Sequence, residues 1–93
     1  MTQGTDAVDL ALAELLRAGQ LPPIAERRRI RIQSGASLRR MGEELGVSQT
    51  AVHHWENGVD NPSLENAVRY RRLLDQLAEV AEGRHGMDDE VAS

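Results

Sequence analysis

Apolar residues recur at intervals of three and four positions in five segments of the chain, and this spacing predicts five α-helices. No convincing β-strand is read, because a β-sandwich or barrel would need more aromatic and β-branched residues than this chain has. The first helix is predicted over residues 6–18, where one apolar stripe is formed by Val8, Leu12, Leu15 and the neighbouring Leu16. Gly19 is a natural stop, and the stiff segment Leu21-Pro22-Pro23 separates this helix from the second.

The other four helices follow one another through short connections, and they are predicted over residues 23–34, 37–46, 48–57 and 63–82. Serines at 37, 48 and 63 are suitable N-caps, and glycines at 35, 46 and 58 are suited to helix ends. The last helix has a second apolar stripe, which consists of Tyr70, Leu73, Leu77 and Val80. One small core does not need a face of that width, so part of it could pack on another element or another subunit.

The predicted organisation is one small all-α domain with two additions, because 93 residues are enough for only a single core. Residues 1–22 form an extra N-terminal helix with its proline joint, and residues 23–82 form the central domain. Residues 83–93 lack helical periodicity and are predicted to be a flexible acidic tail. The first helix is a further layer of the core, an arm for dimerisation or a partner-binding helix, and the sequence favours the first two equally.

Charge is distributed unevenly along the chain, although the net charge is only −4. Residues 27–40 carry six arginines and no acidic residue, whereas both ends of the chain are acidic. A concentrated basic stretch is typical of a surface that binds nucleic-acid phosphates, and we expect residues 27–29 to make such contacts. All the cationic residues are Arg, which suits phosphate and guanine, although codon usage in a GC-rich genome gives the same composition.

Several classes of protein are excluded by what the sequence lacks. Without cysteine there is no disulfide scaffold, thiolate metal site or cysteine nucleophile. No grouping of residues indicates catalysis, so the sequence predicts neither an enzyme nor a cofactor. His53 and His54 point about 100° apart on a helix and have no well-placed carboxylate, so no metal site is predicted. With no apolar run near 18 residues and no secretory signal, a soluble cytoplasmic protein is expected.

The third and fourth predicted helices are short and are joined by a tight turn at Gly46. Two helices that cross steeply at such a turn form a helix-turn-helix. Gly42 lies in the middle of the third helix, where glycine costs about 1 kcal/mol relative to alanine. A close crossing would explain this glycine, because a larger side chain would push the following helix away. Val47 and Val52 are then expected to bury the hinge, and Trp55 to lie in the core.

The segment SLRRMGEELGVSQTAVHHWENG, residues 37–58, resembles the Cro/repressor-like (Xre-type) helix-turn-helix family. The shared pattern also includes Pro62-Ser63-Leu64-Glu65 at the start of the next helix, and the resemblance runs from about Arg27 to Leu77. It implies a five-helix domain of the lambda-repressor type that binds DNA. Leu38 stands where the family often has a phosphate-contacting glutamine, so Arg39 and Arg40 are expected to supply that charge instead.

The resemblance also implies roles for single residues. The recognition helix, residues 48–57, would enter the major groove and read base edges with Gln49, Thr50, Ala51 and His54. Glutamine can pair with adenine, and histidine can donate to guanine. Contacts to the DNA backbone are implied for Arg39, Arg40, Ser48, His53, Asn57 and Gly58. Arg31 and Glu56 match a partly buried ion pair of the family.

Two functional hypotheses follow from the sequence. The first is a sequence-specific double-stranded DNA-binding regulator of transcription, a repressor or Cro-like switch, that binds a palindromic operator as a homodimer with half-sites about 34 Å apart. The second is an antitoxin-type interaction protein. It would bind a protein partner through the first or the last helix and would regulate its own transcription through the same DNA-binding motif.

Overall fold

The computed structural model describes residues 11–92, and it describes side chains as far as Gly83. Residues 11–18 are helical and are labelled α1. The helices that follow are α2 (Ile24–Ser34), α3 (Leu38–Leu45), α4 (Gln49–Asn57) and α5 (Leu64–Ala92). The described part of the chain contains no strand, and the predicted all-α domain is confirmed.

The starts of α3, α4 and α5 and the ends of α2, α3 and α4 lie at the serines and glycines that the sequence indicates. The hydroxyl oxygens of Ser37, Ser48 and Ser63 accept hydrogen bonds from the third residue after each, at 3.0, 3.0 and 3.2 Å. Each bond satisfies a backbone N–H that has no partner within its helix. Gly46 and Gly58 end α3 and α4 with φ of 70° and 71°, a conformation that residues with a Cβ rarely adopt. Local sequence therefore fixes both ends of the turn that joins α3 to α4.

The core lies where α3, α4 and α5 meet, with α2 packed against α4 and α5. Its buried side chains are Met41, Leu45, Val52, Trp55, Tyr70 and Leu74. The rings of Trp55 and Tyr70 are tilted at 42° with their centroids 5.3 Å apart, which is a favourable aromatic contact. The prediction that Trp55 belongs to the core is confirmed.

The last helix is longer than the sequence indicates. We expected it to end near Glu82, but α5 continues to Ala92, so the backbone of residues 83–92 is helical. Apolar periodicity is a poor guide to the end of a helix that has left the core, because no packing requires it there. Glutamate, methionine and alanine in this segment favour helix, and no proline interrupts it. The flexibility of this segment stays a prediction.

The C-terminal end of α1 packs against α5, whereas the leucines of α1 are only partly covered. Gly19 lies so close to α5 that a Cβ there would be 2.8 Å from Cδ1 of Leu64. The guanidinium of Arg71 on α5 donates to the backbone oxygen of Arg17. The leucines of the predicted stripe are nevertheless about half exposed: Leu12, Leu15 and Leu16. They do not form a layer of the core, and Val8 lies outside the described residues.

Candidate nucleic-acid interface

The crossing of α3 and α4 depends on the absence of a side chain at residue 42. A Cβ built on Gly42 would lie 2.7 Å from the carbonyl oxygen of Val47 and 3.2 Å from the backbone nitrogen of Gln49. Neither backbone atom can move without moving the start of α4. The predicted reason for this glycine is therefore confirmed, and the two helices form the expected helix-turn-helix.

The outer face of α4 is polar and accessible. Gln49, Thr50 and His53 are exposed, and His54 is half-buried. On the opposite face Val52, Trp55 and Glu56 are buried. Ala51 lies between the two faces and packs against the core, so less of its methyl group is available than the resemblance implies. A polar surface supported by a buried apolar face can present hydrogen-bonding groups in fixed positions.

A buried ion pair fixes α2 to α4. Arg31 donates from both Nε and Nη2 to the two carboxylate oxygens of Glu56, the second contact being 3.1 Å from Oε1. Its remaining Nη1 donates to the carbonyl oxygen of Ala36 at 3.1 Å. The Glu56 side chain is only 2% exposed and that of Arg31 13%. Because the geometry is bidentate, this pair that the resemblance implies also sets the angle between the two helices.

A second arginine holds the end of α4, and the sequence analysis missed it. Arg27 Nε donates to the carbonyl oxygen of Pro22 at 2.8 Å, and its Nη1 donates to that of Trp55 at 3.0 Å. A cation near the last carbonyls of a helix is favourable. We expected Arg27 to contact phosphate, but these two bonds direct it into the protein. Its position four residues before Arg31, on the same face of α2, is the signal that could have revealed this.

Except for Arg28, the other arginines of the basic stretch are also paired with acidic residues of the protein. On α2, Arg29 pairs with Glu26. On α3, Arg39 lies 3.4 Å from Glu43, and Arg40 lies 2.9 Å from Glu44. These surface pairs are exposed, so each contributes only about 0–1 kcal/mol and can exchange partners. Among the described side chains, five arginines have no ion-pair partner: Arg17, Arg27, Arg28, Arg69 and Arg72. Of these, Arg27 bonds to backbone carbonyl oxygens instead.

The end of α4 uses some of its polar groups internally. Gly58 N–H and Val59 N–H both donate to the carbonyl oxygen of His54, the latter at 3.0 Å. Asn57 Nδ2 donates to the carbonyl oxygen of His53 at 2.9 Å. The Gly58 N–H is therefore engaged within the protein, whereas Asn57 keeps a second amide hydrogen and its carbonyl oxygen for another partner. Ser48 is exposed at the start of α4, where its hydroxyl already caps the helix.

Tyr70 contributes a buried hydroxyl beside the ion pair. Its side chain is fully buried, and the hydroxyl has no hydrogen-bond partner. Burial, together with the smaller effect of the nearby Glu56 carboxylate, raises the pKa of Tyr70 from 10.0 to about 12. The phenol is consequently neutral at physiological pH. A buried hydroxyl without a partner is unfavourable, so the stabilising contribution of Tyr70 comes from its ring, which packs against Trp55.

A family model described as helix-turn-helix matches residues 28–80, more than half of the chain. The protein belongs to the Cro/C1-type (Xre-like) helix-turn-helix family. No curated protein and no solved structure shows a significant match. The family is one of DNA-binding transcription regulators and is not typically enzymatic. Among the described residues, no helix is both long enough and apolar enough to cross a bilayer.

Proposed function

We propose that this helix-turn-helix protein reads a specific DNA sequence in the major groove with α4 and acts as a repressor or Cro-like switch. The observation that carries the proposal is the polar face at the start of α4, where Gln49 and Thr50 are exposed. Glutamine and threonine can both make hydrogen bonds to base edges, each worth about 1–3 kcal/mol of discrimination when bidentate. His54 and the partly shielded methyl group of Ala51 complete the base-reading set.

The contacts that hold α4 against α2 favour sequence-specific recognition of DNA over non-specific binding to its phosphates. Arg31 holds Glu56 near the end of α4, and Arg27 holds the carbonyl oxygen of Trp55 beside it. A recognition helix fixed by two side chains of α2 loses little conformational freedom when it binds. Its polar groups therefore arrive at the base edges already oriented. This arrangement favours sequence discrimination as the use of the exposed face.

Contacts to the DNA backbone are proposed for the residues that flank this face. Arg39 and Arg40 lie in the first turn of α3 and are exposed. Their pairs with Glu43 and Glu44 are weak surface pairs, so a phosphate can replace the carboxylate. Further backbone contacts are proposed for the exposed residues Ser48, His53, Asn57 and Gly58. Since the Gly58 N–H is already engaged, that residue would contribute by close approach of its backbone.

We further propose that the protein binds a palindromic operator as a homodimer. One domain presents only a few base-reading side chains, which is too few for a unique site in a genome. Two domains related by a two-fold axis would read two half-sites about 34 Å apart. Occupation of such a site near a promoter would then change access by RNA polymerase.

The test is selection from a pool of randomised duplexes at two salt concentrations, followed by sequencing. An enriched palindrome supports the proposal, whereas retention without enrichment would show phosphate binding alone. Gln49→Ala should relax the preference at one base pair and leave the salt dependence unchanged. Arg39→Ala should weaken binding to all sequences and reduce the slope of log K against log salt by about one. Gln33→Ala, at an exposed glutamine of α2, is the matched control and should change neither.

A second candidate is the antitoxin-type interaction protein, and the half-exposed leucines of α1 favour it. Leu12, Leu15 and Leu16 form an apolar surface that the described part of the chain leaves partly uncovered. A protein partner would bind there or on the last helix, and α4 would serve autoregulation. Co-purification with the product of an adjacent reading frame, abolished by Leu12→Glu but not by Gln33→Ala, would establish this candidate.

A further inference from the structure

A cleft lies between the C-terminal end of α1 and one face of α5. Its volume is about 340 Å³, and its lining residues are Arg17, Ala18, Val68, Arg71, Arg72 and Asp75. The last three follow Val68 by three, four and seven positions, so all four share one face of α5. Sites for small ligands enclose about 300–1,000 Å³, and this cleft is at the lower end of that range. It has room for one small molecule.

The α1 side of the cleft lies outside the helix-turn-helix domain of the family. The family model matches residues 28–80, and Arg17 and Ala18 precede its first residue. The end of α1 is nevertheless held on α5, because Arg71 donates to the backbone oxygen of Arg17 and Gly19 lies against Leu64. The cleft therefore belongs to an addition to the family domain and not to the helix-turn-helix itself.

Positive charge in the cleft exceeds the negative charge that the protein places there. Three arginines and one aspartate line it, which gives a formal charge of +2. Among the described residues, the guanidinium groups of Arg17 and Arg72 make no hydrogen bond and no ion pair. Arg71 Nε lies 3.8 Å from Asp75 Oδ2, which is a loose surface pair. Cations that share one cleft repel one another, so a bound anion would relieve this repulsion.

The charge and the donors of the cleft suit a phosphate monoester. A guanidinium group can donate two parallel N–H bonds to the oxygens of one phosphate. A phosphate monoester carries a charge of about −1.5 to −2 near pH 7, which balances the cleft. A single carboxylate would neutralise only half of that charge. Arg17 and Arg72, which lie on different helices, can therefore bind one phosphate between them.

The other lining residues indicate what the phosphate is attached to. The Asp75 side chain is 72% exposed, and its oxygens can accept hydrogen bonds from hydroxyl groups. A carboxylate repels a bare phosphate, so its presence suits a ligand that also brings a hydrogen-bond donor. Ala18 and Val68 add a small apolar surface. A sugar carries hydroxyl groups on a carbon framework and therefore fits both features.

We propose that this cleft binds a small phosphate monoester that carries hydroxyl groups, which is the chemistry shared by sugar phosphates and nucleoside monophosphates. Arg17 and Arg72 bind the phosphate, Arg71 holds the end of α1 in place, and Asp75 accepts hydrogen bonds from the hydroxyl groups. Because the two phosphate-binding arginines lie on α1 and α5, the ligand ties the N-terminal helix to the domain. The site needs no DNA, so it can be tested separately from the proposed function.

The test is an NMR titration of the isotope-labelled full-length chain with ribose 5-phosphate, adenosine monophosphate, inorganic phosphate and succinate. Ribose 5-phosphate should bind with a Kd of about 1 mM or lower and should shift the amide signals of residues 17–18 and 68–75. Inorganic phosphate lacks the hydroxyl groups and succinate lacks the phosphate, so each should bind at least about fivefold more weakly. Tighter binding of adenosine monophosphate would identify the ligand as a nucleotide, and equal or weaker binding as a sugar phosphate.

Variants of single arginines separate this site from general attraction to a basic surface. Arg17→Gln and Arg72→Gln should each raise the Kd for ribose 5-phosphate about tenfold, because each removes a charged donor from the phosphate. The matched control is Arg69→Gln. Arg69 is also exposed on α5 without an ion-pair partner among the described side chains, but it does not line the cleft, so the Kd should stay within about twofold.

Asp75→Ala tests the hydroxyl contact by itself. Inorganic phosphate should bind this variant at least as tightly as the wild type, because a repelling carboxylate is removed. The preference for ribose 5-phosphate over inorganic phosphate should fall to about twofold or less, because the acceptor for the hydroxyl groups is lost. Circular dichroism would verify that each variant keeps the helical domain.

Three results of the titration would overturn the proposal. They are no binding of ribose 5-phosphate at about 10 mM, succinate binding as tight as that of ribose 5-phosphate, and equal losses for Arg69→Gln and Arg72→Gln.

The DNA backbone is the other source of phosphate, and duplex binding at two salt concentrations distinguishes it. Arg17→Gln and Arg72→Gln should leave the slope of log K against log salt unchanged. A slope reduced by about one in each variant would assign these arginines to the DNA backbone and overturn the proposal. If the wild type binds ribose 5-phosphate but no duplex, the proposed function is wrong and the ligand site stands.

Discussion

Arginines in residues 27–40 and arginines on α5 meet different neighbours. In the first region, Arg27 and Arg31 donate to groups inside the protein, and Arg29, Arg39 and Arg40 pair with glutamates of their own helices. On α5, by contrast, Arg69 and Arg72 have no ion-pair partner among the described side chains. The run of basic residues that dominates the sequence is therefore not where most of the uncompensated positive charge lies. A count of charges along a chain does not measure the charge that is available to a ligand.

The largest expected effect comes from the arginine of the buried ion pair. Arg31→Ala would leave the Glu56 carboxylate, 2% exposed, without its partner. We expect the free energy of unfolding to fall by about 3–5 kcal/mol, measured by urea denaturation. Replacing both residues with apolar side chains of similar size, Arg31→Met with Glu56→Leu, should recover most of the loss. A loss below about 1 kcal/mol for the single variant would contradict a structural role for the pair.

Arg27→Ala is the next test of the same region. It removes the donors to the carbonyl oxygens of Pro22 and Trp55, and we expect a loss of about 2–3 kcal/mol by the same measurement. Arg28→Ala is the matched control, because Arg28 is exposed and has no partner among the described side chains; its loss should stay within about 0.5 kcal/mol. Equal losses for the two variants would mean that the bonds of Arg27 contribute nothing.

Tyr70 tests the buried cluster through its pH dependence. Because the pKa of Tyr70 is about 12 in the folded protein and 10.0 when exposed, the unfolded chain loses the phenol proton first as pH rises. The contribution of Tyr70 to stability should be constant below pH 10 and then fall by up to about 1.4 kcal/mol per pH unit towards pH 12. Tyr70→Phe should change stability by less than about 1 kcal/mol at pH 7, because the lost hydroxyl makes no hydrogen bond.

The control for this prediction is the shape of the alkaline transition. Tyr70→Phe should remove the decline between pH 10 and pH 12 that the tyrosine causes, as measured by urea denaturation across this range. If the wild type and the variant decline in parallel, another group controls alkaline unfolding and the phenol is not shielded as described.

The smallest expected effect concerns the uncompensated arginines. Arg72→Ala should change the free energy of unfolding of the monomer by no more than about 0.5 kcal/mol, because its side chain is exposed and unpaired. Thermal denaturation at low protein concentration measures this without a contribution from dimerisation. A loss above about 1 kcal/mol would show that α5 uses its arginines for folding, as α2 does, and would remove the contrast between the two regions.

Local features of the fold were predictable from the sequence, and long-range ones were not. Serine caps, helix-ending glycines and the close approach at Gly42 depend on residues a few positions apart, so the sequence indicates them directly. The bond from Arg27 to the Trp55 carbonyl spans 28 residues, and Arg28 beside it has the same chemistry. Only the face of α2 that is turned towards α4 distinguishes the two arginines, and that face depends on how the helices pack.

In the candidate DNA-binding site, too, the features set by local sequence were predictable and those set by tertiary neighbours were not. The exposure of Gln49, Thr50 and His53 follows from the spacing of Val52 and Trp55 on the opposite face of one helix. The partial burial of Ala51 and the internal bonding of Gly58 depend on neighbours that the motif does not specify. The extension of α5 to Ala92 also escaped prediction, because residues 83–92 lack the apolar periodicity that packing on the core imposes on the earlier turns.

The attachment of α4 to α2 has a consequence for the DNA as well as for the protein. With Glu56 and the Trp55 carbonyl held by two arginines, the helix has little freedom to change its tilt in the groove. If α4 reads an operator, the duplex must adapt to the helix. Base steps that bend or twist easily would then improve binding even at positions that no side chain touches. A rigid recognition helix would therefore favour operators whose DNA deforms easily.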